Sequence, residues 1–143
     1  MNNNQQSVEA VRETMKKWAD ALSKKDLEAM HKNYADEYRL FDVGSTANSV
    51  EEVKQIWTRC FPYFDKPQVE YKNMVIDATD DMAVVHFNSR LRGMNVQLPE
   101  EIANAWLRGT VCFRKVDGIW KCTHEHLSFP VNCDSNQIIF EPA

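Results

Sequence analysis

Residues 106–130, WLRGTVCFRKVDGIWKCTHEHLSFP, contain the pattern that decides the fold. Two segments flank Val116-Asp117-Gly118, which predicts an antiparallel hairpin with a three-residue loop and Gly118 in the left-handed conformation. Arg108 then faces His126 across the strand pair. One face is expected to carry the residues suited to binding a ligand: Trp106, Arg108, Thr110, Cys112, Cys122, His124, His126 and Ser128. The opposite face carries apolar side chains and one threonine: Leu107, Val111, Phe113, Thr123, Leu127 and Phe129.

A two-residue Asp-Gly turn is the alternative for this hairpin. It would place Arg108 beside Leu127 and break up the group of polar residues, because a slip of one residue moves every side chain to the other face of a sheet.

Toward the N-terminus from the hairpin, the spacing of apolar residues changes from every second residue to every third or fourth residue. Alternation predicts strands at about 69–78, 82–92, 102–115 and 119–129. Before the strands, apolar residues recur at steps of three and four, which predicts three helices. The first covers residues 7–23, and the second starts at the N-cap Asp26 and includes Tyr34. The third starts at the capping box Ser49–Glu52 and ends before Pro62. Residues 1–6 are expected to form a polar or disordered tail, and residues 7–143 a single domain. Helices followed by an antiparallel sheet predict an α+β fold, with helices covering one sheet face and a pocket between the layers.

Composition excludes several classes of function. The net charge of −4 and the lack of a basic run argue against a nucleic-acid partner. No apolar run approaches the length that spans a bilayer, so no membrane association is expected. Four cysteines without a CxxC spacing indicate reduced thiols in a cytoplasmic protein.

The hairpin residues suggest an anion site more readily than a metal site. Arg108 can bind a carboxylate through two hydrogen bonds, His126 could add a donor, and Arg90 or Arg92 could supply a second cation. The other interpretation pairs Arg108 with an internal carboxylate such as Glu125 or Asp42. His124 and His126 could ligate zinc or iron, but no third ligand is evident, so no metal is predicted. A Cys–His nucleophile pair is expected even less than a metal site. His31 and His86 are expected to be surface or packing residues.

The combined runs WLRGT (106–110), RK (114–115), DGIW (117–120) and HEHLSFP (124–130) resemble the end of SnoaL-like proteins of the nuclear transport factor 2 superfamily. The similarity is greatest to the ketosteroid-isomerase-related branch. It implies a cone-like fold in which three helices close over a strongly curved sheet around a deep pocket, usually as a dimer. By the same resemblance, Asp42 falls at the position of the isomerase general base, whereas Trp18 stands where the oxyanion-hole tyrosine would be. An indole donates one hydrogen bond but cannot act as a phenol.

These inferences lead to one functional hypothesis and one alternative. The chain is expected to act on a small polar or carboxylated organic molecule by proton transfer next to a carbonyl, as an isomerase, cyclase or dehydratase would, without a cofactor. The expected catalytic residues are Asp42 and His126: Asp42 is the base, while His126, together with Arg108, holds the developing oxyanion or a substrate carboxylate. The expected ligand-binding residues are Trp18, Arg90, Trp106, Arg108, Thr110, His124 and Ser128. The alternative is a non-catalytic ligand-binding or assembly module. A homodimer is expected through the face that carries Leu107, Val111, Phe113, Leu127 and Phe129.

Overall fold

Helices and one sheet make up residues 2–140, which are the residues that the computed structural model describes. The helices are α1 (Asn3–Ser23), α2 (Leu27–His31), α3 (Val50–Cys60) and α4 (Glu100–Ala103), and a 3-10 turn spans Phe61–Tyr63. The strands are β1 (Tyr34–Phe41), β2 (Thr46–Ala47), β3 (Phe64–Ala78), β4 (Met82–Met94), β5 (Leu107–Val116), β6 (Ile119–Ser128), β7 (Val131–Asn132) and β8 (Gln137–Ile138). The predicted α+β class is confirmed. None of the helices among these residues is both long enough and apolar enough to cross a bilayer.

Six strands form the main sheet in the order β2-β1-β6-β5-β4-β3. All neighbours are antiparallel except β1 and β6, which run parallel. The four strands expected after residue 69 are present, while β1 and β2 extend the sheet beyond β6. Strand β3 lies at the free edge, which is why Pro67, without a backbone N–H, is tolerated within it.

The first helix begins earlier than its apolar pattern predicts. Asn2 caps α1, because its side chain accepts from the Gln5 backbone N–H while the Gln5 side chain accepts from the Asn2 backbone N–H. Residues 3–6 are therefore helical and do not form the expected tail. Met1 and residues 141–143, which complete the predicted tail and domain, lie outside the described residues.

The second helix is shorter than predicted, and Tyr34 belongs to strand β1. The Asp26 cap is confirmed, since its side chain accepts from the Ala29 N–H at 3.1 Å, but α2 ends at His31. The register between β1 and β6 shifts between Tyr34 and Arg39. The error arises because Met30 and Tyr34 are four residues apart, a spacing typical of a helix face, although the chain leaves the helix after His31.

The segment before β5 is helical where a strand was predicted. Residues 100–103 form α4, and β5 begins only at Leu107. Pro99 precedes this helix and two glutamates occupy its first turn, which are features that favour a helix start.

The predicted register of the β5–β6 hairpin is wrong. Asp117 and Gly118 both have positive φ, 51° and 79°, and Val116 pairs with Ile119, so the loop is a two-residue turn. The left-handed Gly118 is confirmed. A bulge in β6 then shifts the register by one further residue between the pairs Phe113–Cys122 and Cys112–His124. Arg108 consequently pairs with Ser128 and Thr110 with His126, so Arg108 and His126 do share a face.

The two faces of this hairpin have the opposite roles to those expected. Val111 and Phe113 are buried against Val11 and Met15 of α1 and Val53 of α3. We call this helix-covered side the inner face. The apolar set therefore forms the core and not the dimer contact that was predicted for it. A homodimer remains a prediction, but this apolar face is not the surface that would form its contact.

Candidate functional site

The bulge in β6 places a carboxyl group on the inner face of the sheet. Because Thr123 is the extra residue, Cys122 and Glu125 both point inward although they are three positions apart. Cys122 pairs with Phe113 and Glu125 pairs with Val111, and both of those partners belong to the core. The Thr123 hydroxyl donates to the Cys112 carbonyl oxygen at 3.2 Å, which contributes to holding the bulge.

Glu125 is hydrogen-bonded to a phenol and a thiol. The Tyr34 hydroxyl donates to Glu125 Oε1 at 2.6 Å, and Cys122 Sγ donates to the same oxygen at 3.6 Å. Protein atoms surround this carboxyl, so burial raises the pKa of Glu125, and the charge of Asp42 raises it further. The hydrogen bonds from Tyr34 and Cys122 act in the other direction without cancelling the effect of burial. Glu125 is thus set up to hold a proton at higher pH than an exposed glutamate.

Two neighbouring rings fix the position of the Tyr34 phenol. His31 packs edge-on against it with ring centroids 4.8 Å apart, and Tyr38 contacts it at 4.6 Å. His31 Nδ1 lies 2.8 Å from the Leu27 carbonyl oxygen, and burial lowers the pKa of His31. The Tyr38 hydroxyl also lies beside Glu125, and burial, followed by the charge of Glu125, raises the pKa of Tyr38. Tyr38 is thus a second phenol next to this carboxyl group.

Asp42 follows the last residue of β1 and lies on the inner side as well. Its backbone N–H donates to the Ser45 carbonyl oxygen at 2.8 Å, and its Oδ1 accepts from the Val43 N–H at 2.7 Å. Burial raises the pKa of Asp42, while the Val43 N–H opposes that rise. Two carboxyl groups with raised pKa therefore lie near each other, as pairs that exchange protons in enzymes do.

The side chains around these carboxyl groups are not fully enclosed. Tyr38 is inaccessible to solvent, but Tyr34, Asp42, Tyr71 and Glu125 each keep part of their surface exposed. Further along, Trp18 packs edge-on against Trp57 with centroids 6.0 Å apart. Trp18 Nε1 is buried and has no partner within the described part of the chain. The helix-covered side of the sheet therefore carries aromatic side chains and two acidic groups, some of which are partly exposed.

Most of the residues expected to bind a ligand lie on the other side of the sheet. We call this side the outer face. It carries Arg108, Thr110, Cys112, His124, His126 and Ser128. His124 Nδ1 lies 2.8 Å from the Arg39 carbonyl oxygen, and Phe41 packs against both His124 and His126. The structure thus separates Arg108 and His126 from Asp42 by the thickness of the sheet.

Arg90 and Trp106 contact each other on the outer face. The Arg90 guanidinium lies 4.2 Å from the centre of the Trp106 ring. Arg90 and Arg92 both bind Glu70, with shortest nitrogen–oxygen distances of 3.0 Å. Arg92 also donates to the Asn104 side chain at 2.6 Å. These two arginines are therefore paired with other residues of the protein and do not form a common cationic site with Arg108.

The sequence interpretation did not include Glu125, Tyr34 and Tyr38 among the candidate site residues. Glu125 was considered only as a partner for Arg108, since simple alternation from the predicted turn places it opposite the polar face. That face was expected to make a dimer contact, and the sequence pattern does not reveal that the helices cover it. Tyr34 and Tyr38 could have been found from the parallel pairing of β1 with β6, which local periodicity does not reveal.

The chain is similar to one known protein family and to several solved structures. The model of the SnoaL-like domain family matches residues 11–132. Among proteins with curated descriptions, none matches this sequence. A solved NTF2-like protein of unknown function from Pseudomonas putida KT2440 is 20% identical, with 97% of each chain covered and a TM-score of 0.83.

Two further solved structures have names that suggest an activity. A candidate scytalone dehydratase from Novosphingobium aromaticivorans DSM 12444 is 16% identical, with 99% of this chain and 98% of that chain covered and a TM-score of 0.71. A candidate ketosteroid isomerase from Shewanella frigidimarina NCIMB 400 is 21% identical, with 83% and 94% covered and a TM-score of 0.69. Likeness at this level of identity establishes a shared fold and no shared activity. The family match spans most of the chain and agrees with the helix-on-sheet architecture, so this protein belongs to the SnoaL-like domain family.

Proposed function

We propose that this protein catalyses proton transfer next to a carbonyl group of a small organic molecule bound between the helices and the inner face of the sheet. Isomerisation, cyclisation and dehydration all use this step. The observation that carries the proposal is that burial raises the pKa values of two carboxyl groups on the inner side of the sheet, Asp42 and Glu125, and that the charge of Asp42 contributes to the rise at Glu125. The names of the dehydratase and isomerase relatives support the same reaction class.

In the proposed reaction, the ionised Asp42 carboxylate removes a proton from the carbon beside the carbonyl. The electron pair of the broken C–H bond moves toward the carbonyl oxygen, which becomes an enolate oxygen. The hydroxyl of Tyr38, which lies beside Glu125, is the proposed donor to that oxygen. Glu125, which retains its proton more strongly than an exposed glutamate, supplies a proton to carbon or to a leaving hydroxyl group.

This scheme changes the roles of two residues chosen from the sequence. Arg108 and His126 were expected to hold the oxyanion, but they lie on the outer face and Asp42 lies on the inner side. Tyr38 replaces them in the proposal. Trp18, an expected ligand-binding residue, keeps that role because its buried Nε1 has no partner in the described chain.

Hydrogen–deuterium exchange in small ketones tests the proposal without a known substrate. The protein is incubated in D₂O with 2-cyclohexenone and with 1-indanone, and loss of the α-proton signal is followed by NMR. Exchange above the buffer rate is expected, and Asp42→Asn should lower it by about 100-fold because the general base is removed. Asp36→Asn changes an exposed aspartate of β1, the strand that Asp42 follows, so it is the matched control and should have no effect.

The variants also separate catalysis from binding. Quenching of tryptophan fluorescence reports ketone binding, which Asp42→Asn should preserve. If the wild type binds a ketone but exchanges its α-protons no faster than buffer, the protein is a ligand-binding module and the catalytic proposal is wrong. Equal exchange rates in Asp42→Asn and Asp36→Asn would also reject Asp42 as the base.

A further inference from the structure

The outer face of the sheet contains a groove that the proposed reaction does not use. Its volume is about 540 Å³, and it spans strands β3 to β6. It is lined mainly by polar side chains: Asn73, His86, Asn88, Arg108, Thr110, His126 and Ser128. No aspartate or glutamate lines it. The groove thus presents hydrogen-bond donors without a neutralising carboxylate.

Strand pairing arranges these donors in two rows across the outer face. His86, Thr110 and His126 form one row, because Thr110 pairs with both histidines. Asn88, Arg108 and Ser128 form the next row, since Arg108 pairs with the other two. Adjacent strands lie about 4.8 Å apart, and rows two residues apart are separated by about 7 Å. The donors therefore cover an area comparable in size to a small organic acid or a phosphate group.

Arg108 differs from the other arginines of the sheet by lacking a partner. Arg90 and Arg92 bind Glu70, Arg114 binds Glu37, and Arg39 donates to the Asn48 side chain. Within residues 2–140, Arg108 has neither a hydrogen bond nor an ion pair, and its side chain is exposed. A planar guanidinium with all five N–H donors unused can bind one oxyanion through two parallel hydrogen bonds.

We propose that this groove binds a small oxyanion, a carboxylate or a phosphate, with Arg108 as its charged anchor. Thr110 and Ser128 supply hydroxyl donors beside the guanidinium, and the imidazole rings of His86 and His126 can each offer a ring N–H. The site is independent of the proposed catalytic pair, which lies on the other face. Ligand bound here would occupy a second site, separated from Asp42 and Glu125 by the sheet itself.

Titration with two simple anions tests the site and distinguishes its preferred ligand. The full chain is titrated with inorganic phosphate and with malonate in a chloride buffer, and amide chemical shifts are followed by NMR. We expect saturable binding with a dissociation constant of about 1 mM or below, and shift changes concentrated on β4, β5 and β6. The tighter of the two anions identifies the ligand class.

A matched pair of variants isolates the role of Arg108. Arg108→Gln and Arg114→Gln each remove one positive charge from the same strand, but Arg114 lies outside the groove and is paired with Glu37. Arg108→Gln should weaken binding by at least about tenfold, while Arg114→Gln should leave it within about twofold. Arg108→Lys, which keeps the charge without the two parallel donors, should give an intermediate affinity. Thermal melts verify that each variant is folded.

Three results would overturn the proposal. The first is no saturable binding of either anion by the folded wild type. The second is equal weakening by Arg108→Gln and Arg114→Gln, which would indicate a general charge effect. The third is a stable dimer, measured by sedimentation velocity, in which the groove amides are protected from solvent and neither anion binds. In that case a second copy of the chain covers the outer face.

Discussion

Replacing Tyr34 by phenylalanine removes one hydroxyl group from the carboxyl site and leaves the ring packing in place. The Tyr34 hydroxyl donates to Glu125 Oε1 at 2.6 Å, whereas the Cys122 thiol, at 3.6 Å from the same oxygen, is a weaker donor. A hydrogen bond to a charged group contributes about 1.5–3 kcal/mol, and a neutral one about 0.5–1.5 kcal/mol. We therefore expect Tyr34→Phe to lower the free energy of unfolding by about 1 kcal/mol when Glu125 is protonated and by about 2 kcal/mol when it is ionised.

The sign of the pH dependence follows from the raised pKa of Glu125. In the unfolded chain a glutamate titrates near its ordinary pKa of about 4.3, whereas burial raises the pKa of Glu125 in the folded protein. The folded state therefore binds this proton more tightly, so its contribution to stability is fully present below the unfolded pKa. That contribution is lost as pH rises through the folded pKa. Tyr34→Phe raises the folded pKa further and should make the decline with pH larger.

Urea unfolding at a series of pH values between about 4 and 9 measures this difference. Tyr63→Phe is the control, because the Tyr63 side chain is 55% exposed and its loss of a hydroxyl should change stability by less than about 0.5 kcal/mol. In a Glu125→Gln background, Tyr34→Phe should cost about 1 kcal/mol at every pH, since the amide never ionises. If the cost in the wild-type background is equally independent of pH, then Glu125 does not titrate beside Tyr34 and the proposed acid is wrong.

Two other predictions concern the frame that holds the site. A Cβ atom added at Gly109 would meet the ring of Phe87, whose Cζ would lie 2.7 Å away, and Phe87 is only 8% exposed. Gly109→Ala should therefore lower the free energy of unfolding in urea by about 1–3 kcal/mol. For Gly44→Ala, where the added Cβ would have nothing within 4 Å, the change should stay within about 0.5 kcal/mol. Equal stability of the two variants would contradict this packing. Hydrogen bonds from two arginines lower the pKa of Glu70, so the stabilisation by these bonds is present above the unfolded pKa and lost as pH falls through the folded pKa. Glu70→Gln should accordingly be less stable than wild type at pH 7 and approach it in acid, and a difference that does not vary with pH would count against the ion pairs.

Local chemistry in the sequence accounts for the helix starts and the turn residue that were predicted correctly. Asp26 caps α2 and Ser49 caps α3, because short polar side chains accept the free N–H groups of a first helical turn wherever the fold places them. Gly118 adopts positive φ because the turn requires it and glycine has no Cβ to oppose it. The resemblance of the HEHLSFP run identified the family, which the match over residues 11–132 confirms.

The composition of the candidate site was only partly visible in the sequence. Asp42 was selected by resemblance, and it does lie near a second carboxyl on the inner side. Arg108, Thr110, His126 and Ser128 were correctly grouped on one face. The grouping agrees because the two register errors add up to a shift of two residues, which returns each side chain to the same face. The predicted turn was one residue too long and the bulge was not foreseen, so the same face was obtained with different partners.

By itself, the sequence determined the fold class, the family and the set of polar residues on one face of the last hairpin. Those features depend on apolar period, capping and turn chemistry, which act over a few neighbouring residues. Only the tertiary structure decided which face of the sheet the helices cover and where Glu125 points. The β6 bulge forms through pairing with β5 and with β1, a strand more than 80 residues away, so its position is a property of contacts between distant segments. A shift of one residue in that pairing moves Glu125 from solvent to the inner face, and no local pattern in the sequence encodes it.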